Sequence, residues 1–230
     1  LVPNHSMPTI EDSYDLKGGL LAPGFIDVHV NGGAGELLNH QPSAKSLQTI
    51  AQAHRQYGTT AFIPTLITDT WVQMENAVAA VAAAVELGVP GILGIHLEGP
   101  YLNEERKGVH PPVHIRVPTD CEDLRDLFDV FPAHLIKLMT LAPEQVSPAF
   151  IRRLTQDGMI VSAGHTGASY EQMKSALGEG VRGFTHLFNT MNPMTSREPG
   201  VVGAALDDID SWCSLIVDGH HVHPVTLRQA

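Results

Sequence analysis

Cysteine is nearly absent. The two residues present, Cys121 and Cys213, stand far apart and belong to no motif. That excludes a disulfide framework and reads as free thiols in a reducing cytosol, so a cytoplasmic location is expected. Basic residues are also scarce: 14 Lys and Arg face 25 Asp and Glu, for a formal net charge of -11. Such a balance excludes nucleic acid as the expected partner. An anionic small molecule would have to be held by local Arg and His groups rather than by the overall field. Long apolar runs are missing as well. The longest, residues 77–85, is rich in Ala and Val between Glu75 and Glu86. It is far too short to span a bilayer and reads as a packed helix, so no membrane partner is expected. No secretory signal pattern is present. No Gly-x-Gly-x-x-Gly follows the first strand-like segment, which leaves a dinucleotide site of the doubly wound kind without support. The chain has no initiator Met, and residues 224–230 read as the opening of a helix cut short. The expectation is therefore an internal part of a longer protein.

What is present is the composition of a globular enzyme: 230 residues, 43% hydrophobic and 17% charged. One large domain is the natural reading. Residues 1–17 are polar and weakly periodic, and segment 1–20 is read as a remnant of a small N-terminal β-sandwich or a linker. From there, β-branched apolar runs alternate with helical spacing. Strands are expected at 25–30, 59–66, 92–97, 135–141, 159–164, 181–185 and 212–217. Helices are expected at 43–57, 72–87, 148–157 and 170–177. Seven consecutive strand–helix units predict an α/β fold with a parallel sheet. They favour a (β/α)8 TIM-type barrel over residues 21–230, holding strands 1–7 and lacking the eighth. An open doubly wound sheet is the alternative.

Residues 91–101, GILGIHLEGPY, organise the rest. An apolar run that ends in a carboxylate and then Gly-Pro reads as a buried strand stopping at a loop. Side chains alternate along a strand, so His96 and Glu98 share a face. A surface Glu beside a core His is the plainer reading of this stretch alone. The pattern recurs, however: two later strands end in His165 and His186. Strand ends converge in a barrel, and two imidazoles with one carboxylate suit Zn²⁺ or Fe²⁺ with a coordination position left open. That position can bind water, lower its pKa and polarise a carbonyl, which is hydrolase chemistry. His29 is a fourth candidate, sharing a face of the first strand with Asp27 and Asn31. Gly32, Gly33 and Gly35 follow it as a loop where backbone can approach a ligand. Arg197, before Glu198-Pro199-Gly200, is either half of a surface ion pair or a fork for phosphate or carboxylate.

Nine motifs in order, PGFIDVHVNG, PTLIT, HLEGPYLN, KGVHPP, TLAPE, SAGHT, THLFNTM, REPG and DGHHV, resemble the N-acetylglucosamine-6-phosphate deacetylase family of the amidohydrolase superfamily. The resemblance covers residues 20–223. It implies metal ligands at Glu98, His165 and His186, holding one divalent ion, zinc in the first instance, with iron, cobalt or manganese as alternatives. It implies that His110, with Val109 beside it, contacts the acetamido oxygen of the substrate and polarises it. It implies a phosphate grip from Asn189 and Thr190, where the family usually has Ala at the second position, from Arg197, and from a loop running from Asp218 to His221. His29-Val30-Asn31 is intermediate between the family's one-metal and two-metal patterns, so one metal is favoured, with a weak second site at His29. The family's general acid/base, an Asp in a Thr-Asp-Ala context on the eighth strand, has no counterpart within these residues, so the chain as given is expected to be inactive. The resemblance further implies a homodimer or higher homo-oligomer, and hydrolysis of N-acetylglucosamine 6-phosphate to glucosamine 6-phosphate and acetate in amino-sugar catabolism. The alternatives are another amidohydrolase acting on an unphosphorylated amide, or a non-catalytic sugar-phosphate-binding fragment.

Overall fold

The structure is a computed structural model, and it describes residues 14–118, 131–132 and 134–230. Residues 1–13, the bulk of the expected N-terminal remnant, and Cys121 lie outside the described residues. Residues 14–24 run exposed, without strand or helix, into the first strand.

Seven strands form one sheet: β1 (Phe25–Val30), β2 (Thr59–Ile67), β3 (Ile95–Glu98), β4 (Ile136–Leu141), β5 (Ile160–Ala163), β6 (Val181–Phe184) and β7 (Trp212–Cys213). They lie side by side in chain order, every pairing parallel. Helices α1 (Ala44–Arg55), α2 (Trp71–Glu86), α3 (Pro148–Gln156), α4 (Tyr170–Glu179), α5 (Gly200–Asp207) and α6 (Pro224–Leu227) fall between or after them. Each of the first four starts at a hydroxyl N-cap: Ser43, Thr70, Ser147 and Ser169 accept from a backbone N–H of the first turn. Ser43 and Ser169 do so within reciprocal capping boxes.

Sequential parallel order is shared by barrels and some open sheets, so curvature has to decide between them. Neighbouring strands lie about 4.8 Å apart, which would put β1 and β6 roughly 24 Å apart in a flat sheet. Yet the rings of His29 on β1 and His186 just beyond β6 are 5.9 Å apart, centroid to centroid. The sheet therefore curls around an interior, and the fold is an incomplete TIM-type barrel. The open-sheet alternative is set aside. The helices cover the outer face of the curl. Tyr101 and Phe150, both essentially fully buried, meet edge to face at 4.9 Å and anchor α3 against the loop after β3.

Three elements depart from expectation by more than a residue or two. β3 was expected at 92–97 but runs from Ile95 to Glu98. β7 was expected at 212–217, but its strand geometry ends at Cys213. Ser214 continues the pairing to Phe184 and Leu187, and backbone pairing then stops. α5 was not anticipated. Its sequence, GVVGAALD, is apolar on every side and its first six residues are buried, so it carries no helical stripe to detect. Its start is held by Glu198, whose carboxylate accepts from the N–H groups of Gly200 and Tyr170, both at 2.9 Å.

Gly183 shows how tightly the last two strands are joined. It faces Trp212 in register, and a Cβ there would lie 2.3 Å from Cζ2 of the indole. Gly183→Ala should destabilise the protein by about 1–3 kcal/mol through overpacking. Gly178, inside α4, has nothing within 4 Å of a built Cβ. There Ala should stabilise by about 0.5–1 kcal/mol, from helix propensity. Urea unfolding followed by Trp fluorescence checks both signs, and a neutral Gly183→Ala would show that the indole is not seated against β6.

Candidate metal centre

Glu98 is the last residue of β3, 3% exposed. Its Oε1 lies 3.0 Å from Nε2 of His165 and 3.0 Å from Nε2 of His186, and those two nitrogens are 3.1 Å apart. Its Oε2 lies 3.3 Å from Nε2 of His29 and 3.6 Å from Nε2 of His110. The structure thus brings the three expected strand-end residues to one point, with His29 and His110 on the far oxygen. His165 and His186 follow β5 and β6 in the left-handed region, at φ 49 and φ 38. A non-glycine residue there is uncommon and costs energy, and such strain gathers at functional sites. Gly164 lets His165 turn inward, because a Cβ at that position would lie 2.6 Å from Thr140.

The proton positions can be read from the partners. His165 Nδ1 lies 2.9 Å from the Arg106 carbonyl, which can only accept. Nδ1 therefore carries the hydrogen, and in the neutral ring Nε2 aims a lone pair at Glu98. Two acceptors 3.0 Å apart in a buried place repel each other unless a positive charge lies between them. His186 Nε2 lies at the same point, and its Nδ1 is buried without a hydrogen-bond partner among the described residues. Two imidazole nitrogens and one carboxylate oxygen, mutually 3.0–3.1 Å apart, form a donor set that fits Zn²⁺ or another divalent first-row ion.

His110 differs. The backbone N–H of Thr68 donates to its Nδ1 at 3.2 Å. Nδ1 is therefore the acceptor, and Nε2 bears the proton and points at Glu98. Glu98, His110 and His165 also fall within a 4.8 Å group of potential ligands. The tautomer nevertheless makes His110 a hydrogen-bond donor rather than a ligand, and His186 lies closer to the shared point.

Charge follows the same geometry. Burial alone would push the Glu98 carboxyl up, but the imidazoles gathered around it, His110 first with its Nε2–H, outweigh burial and hold the group well below the usual carboxylate range. Burial pushes His29 down, yet Glu98 and then Asp27 outweigh it and raise it. Burial pushes His110 down despite Glu98. His96, fully buried beneath the cluster, is pushed down to about 3 by burial and by His29, and stays neutral.

A cavity of about 470 Å³ opens on this cluster. His110, Gly108 and exposed Val109 wall one side of it, and Asn189, Thr190 and His221 also line it. Asp218 Oδ1 accepts from the N–H groups of His220 and His221, while Oδ2 lies 2.6 Å from His221 Nδ1. Asp218 thus orients His221 and itself faces a neighbouring cavity beside Asp27 and His29. Arg197 is exposed, does not line the main cavity and makes no ion pair among the described residues. Arg197 and Glu198 form no ion pair among the described residues; Oε1 of Glu198 instead accepts from the N–H groups of Gly200 and Tyr170. Sequence reasoning did not single out Thr68 and the Arg106 carbonyl, which set the two tautomers. Backbone partners carry no side-chain signal that could have revealed them.

The sequence profile of the amidohydrolase family matches residues 20–230. Among curated proteins, the chain is 48% identical to an N-acetylgalactosamine-6-phosphate deacetylase of Shewanella sp. (strain ANA-3), over 94% of this chain and 54% of that protein. It is 38% identical to an N-acetylglucosamine-6-phosphate deacetylase of Haemophilus influenzae, over 99% of this chain and 59% of that protein. The solved N-acetylglucosamine-6-phosphate deacetylase of Pasteurella multocida superposes with a TM-score of 0.92 at 37% identity, covering 99% of this chain and 59% of that one. The chain spans about half the length of the curated relatives it matches.

Replacing His165 or His186 with Ala should reduce bound metal to background by elemental analysis after dialysis. His110→Ala should leave occupancy in place, since its ring turns an N–H toward the site and its one lone pair toward the Thr68 N–H. Occupancy lost in His110→Ala and kept in His186→Ala would reverse the assignment. Binding should also weaken in acid, where protons compete for the same nitrogen lone pairs.

Proposed function

The chain belongs to the amidohydrolase family, and we propose that the protein hydrolyses the acetamido group of N-acetylglucosamine 6-phosphate to glucosamine 6-phosphate and acetate. The observation that carries this reading is the convergence of Glu98, His165 and His186 at one buried point beneath an open cavity. Those three residues would hold the divalent ion, zinc in the first instance, and His29 would offer only a weak second position. When bound, the ion supplies Lewis acidity toward the amide carbonyl and lowers the pKa of water.

Proton transfer from the attacking water to the leaving amine has no candidate among these residues and falls to the acid/base Asp that the family resemblance implies. The other roles belong to this chain's own side chains. His110, with its proton on Nε2, donates to the acetamido oxygen as negative charge builds there. Its tautomer is set by the Thr68 N–H, so it needs no reorganisation during the reaction. Glu98 is engaged by four imidazoles and does not serve as the base. Asn189, Thr190 and His221 lie on the cavity wall, where they grip the phosphate and orient the sugar remote from the reacting carbon. Arg197, exposed and outside the cavity lining, would join that grip as the sugar phosphate binds, its guanidinium fork being suited to phosphate oxygens. These local donors give a chain of net charge -11 a place for an anion.

A second reading concerns the sugar and not the reaction. The 48% identity with a deacetylase named for N-acetylgalactosamine 6-phosphate favours the epimer at C4. The acetamido and phosphate ends are the same in both sugars, so the metal centre and the phosphate grip do not choose between them.

Acetate release from the two phosphorylated epimers and from unphosphorylated N-acetylglucosamine, assayed in a form that supplies the implied acid/base Asp, separates these readings. Both phosphorylated sugars should outperform the free sugar in kcat/KM, and their ratio decides the epimer. His110→Ala should lower kcat by roughly 100- to 1000-fold, the usual loss on removing an oxyanion donor. Arg197→Ala should raise KM for the phosphorylated sugar by about tenfold or more, in line with a charged hydrogen bond, and leave KM for the free sugar unchanged. Equal effects on both sugars would end the phosphate role and favour an unphosphorylated amide.

A further inference from the structure

The barrel interior directly beneath the ligands is polar rather than greasy. Thr65, His96, Thr140, Ser162 and Thr185 are all 2% exposed or less. His96 Nε2 lies 2.7 Å from Thr140 Oγ1, Thr140 Oγ1 lies 2.7 Å from Thr185 Oγ1, and Thr185 Oγ1 lies 2.7 Å from Ser162 Oγ. On the other side of the ring, His96 Nδ1 lies 3.1 Å from Thr65 Oγ1.

The direction of this chain follows from counting protons. A hydroxyl has one. Thr65 gives its proton to the Ile63 carbonyl at 3.2 Å and accepts from the Val30 N–H at 3.0 Å. Donation from Thr65 to Nδ1 instead would reverse the chain and leave the Ser162 proton without an acceptor among the described residues, so the Thr65 oxygen accepts from His96 Nδ1–H as well. The neutral ring is left with a bare Nε2, which accepts from Thr140. With its proton so placed, Thr140 accepts from Thr185, and Thr185 accepts from Ser162. Donation runs one way, from Ser162 through Thr185, Thr140 and His96 to Thr65.

Its members are placed where they bear on the metal centre. Each strand that presents a ligand contributes one of them. His96 is two residues before Glu98, Ser162 three before His165, and Thr185 immediately before His186. A layer of Val and Leu would fill the same space at no cost in desolvated polar groups, so stability alone does not account for the chain. We infer that this one-way hydrogen-bond chain is a positioning device, which ties β3, β4, β5 and the end of β6 together so that Glu98, His165 and His186 meet at metal-binding distance. The inference rests on the ligand set proposed above. His96, Thr140, Thr185 and Ser162 are positioning residues, since none of them reaches the cavity lining.

Thr140→Val keeps the shape and removes the hydroxyl, leaving Nε2 of His96 without a donor. Zinc affinity, measured by chelator competition on protein shown to be folded by circular dichroism, should fall roughly 10- to 100-fold, the range for losing an outer hydrogen-bond partner of a metal site. Thr140→Ser restores the hydroxyl and should recover most of that loss. Unchanged affinity in Thr140→Val, or no recovery in Thr140→Ser, would overturn the inference. The ¹⁵N shifts of His96 in the unaltered protein give an independent answer if the Val variant does not fold. A proton on Nδ1 supports the chain as drawn, and a proton on Nε2 refutes it. If the unaltered protein takes up no divalent ion, the ligand set itself fails, which is a different result from either of these.

Discussion

A single buried carboxylate meeting four imidazoles is the interaction on which this structure turns. Glu98 sits where an isolated negative charge would be very costly. It is tolerated because His29 and His110 face one of its oxygens as donors, while His165 and His186 bracket the cation position at the other. The four rings come from β1, from the loop after β3, and from the ends of β5 and β6, so satisfying one side chain requires most of the sheet to curl around it. Barrel curvature and the centre's electrostatics are in this sense one constraint. A flatter sheet would leave Glu98 unpaired, and a neutral residue at position 98 would leave imidazoles facing one another.

Strand ends are where such a centre can be built without sacrificing the core. Along β3, Ile95 and Leu97 point outward to the helices, while His96 and Glu98 point inward. The apolar layer between sheet and helices is therefore continuous, and the polar layers stack inside the curl. The lower layer holds His96 and the hydroxyls, and the upper holds the proposed ligands. The left-handed backbone at His165 and His186 is the local cost of turning from one layer to the next, and it falls at the two positions that must aim inward.

Much of the architecture was legible in the sequence because it rests on strong local signals. The first strand matches residue for residue, and the alternation of β-branched runs with capped helices gave the sheet order. What escaped were features without a period or a side-chain signature. α5 is apolar all round, and β7 shortens because its pairing continues only as far as Ser214. At the centre, Glu98, His165 and His186 could be singled out because each ends an apolar run. The polar layer below them could not, since Thr and Ser are ordinary strand residues and nothing in Thr140 or Ser162 announces an inward hydroxyl. Arg197 is the converse case: its motif stands out in the sequence, yet the side chain lies exposed outside the cavity lining.

The two histidines nearest the cavity show how backbone atoms can divide labour between identical side chains. His110 and His165 have ring centroids 4.3 Å apart and face the same carboxylate. Composition and burial do not separate them. What does is one atom behind each ring: a carbonyl, Arg106 O, behind His165, and an N–H, that of Thr68, behind His110. The carbonyl pulls the proton to the rear nitrogen and frees a lone pair for a cation. The N–H pushes the proton to the front and frees a donor for an oxygen. Both backbone atoms lie in loops that follow strands, Thr68 after β2 and Arg106 after β3. These loops form the rim of the site, and they also set the protonation pattern of the residues beneath it. A change of loop conformation at either place would convert ligand to donor, or donor to ligand, without any change in the residues usually counted as the site.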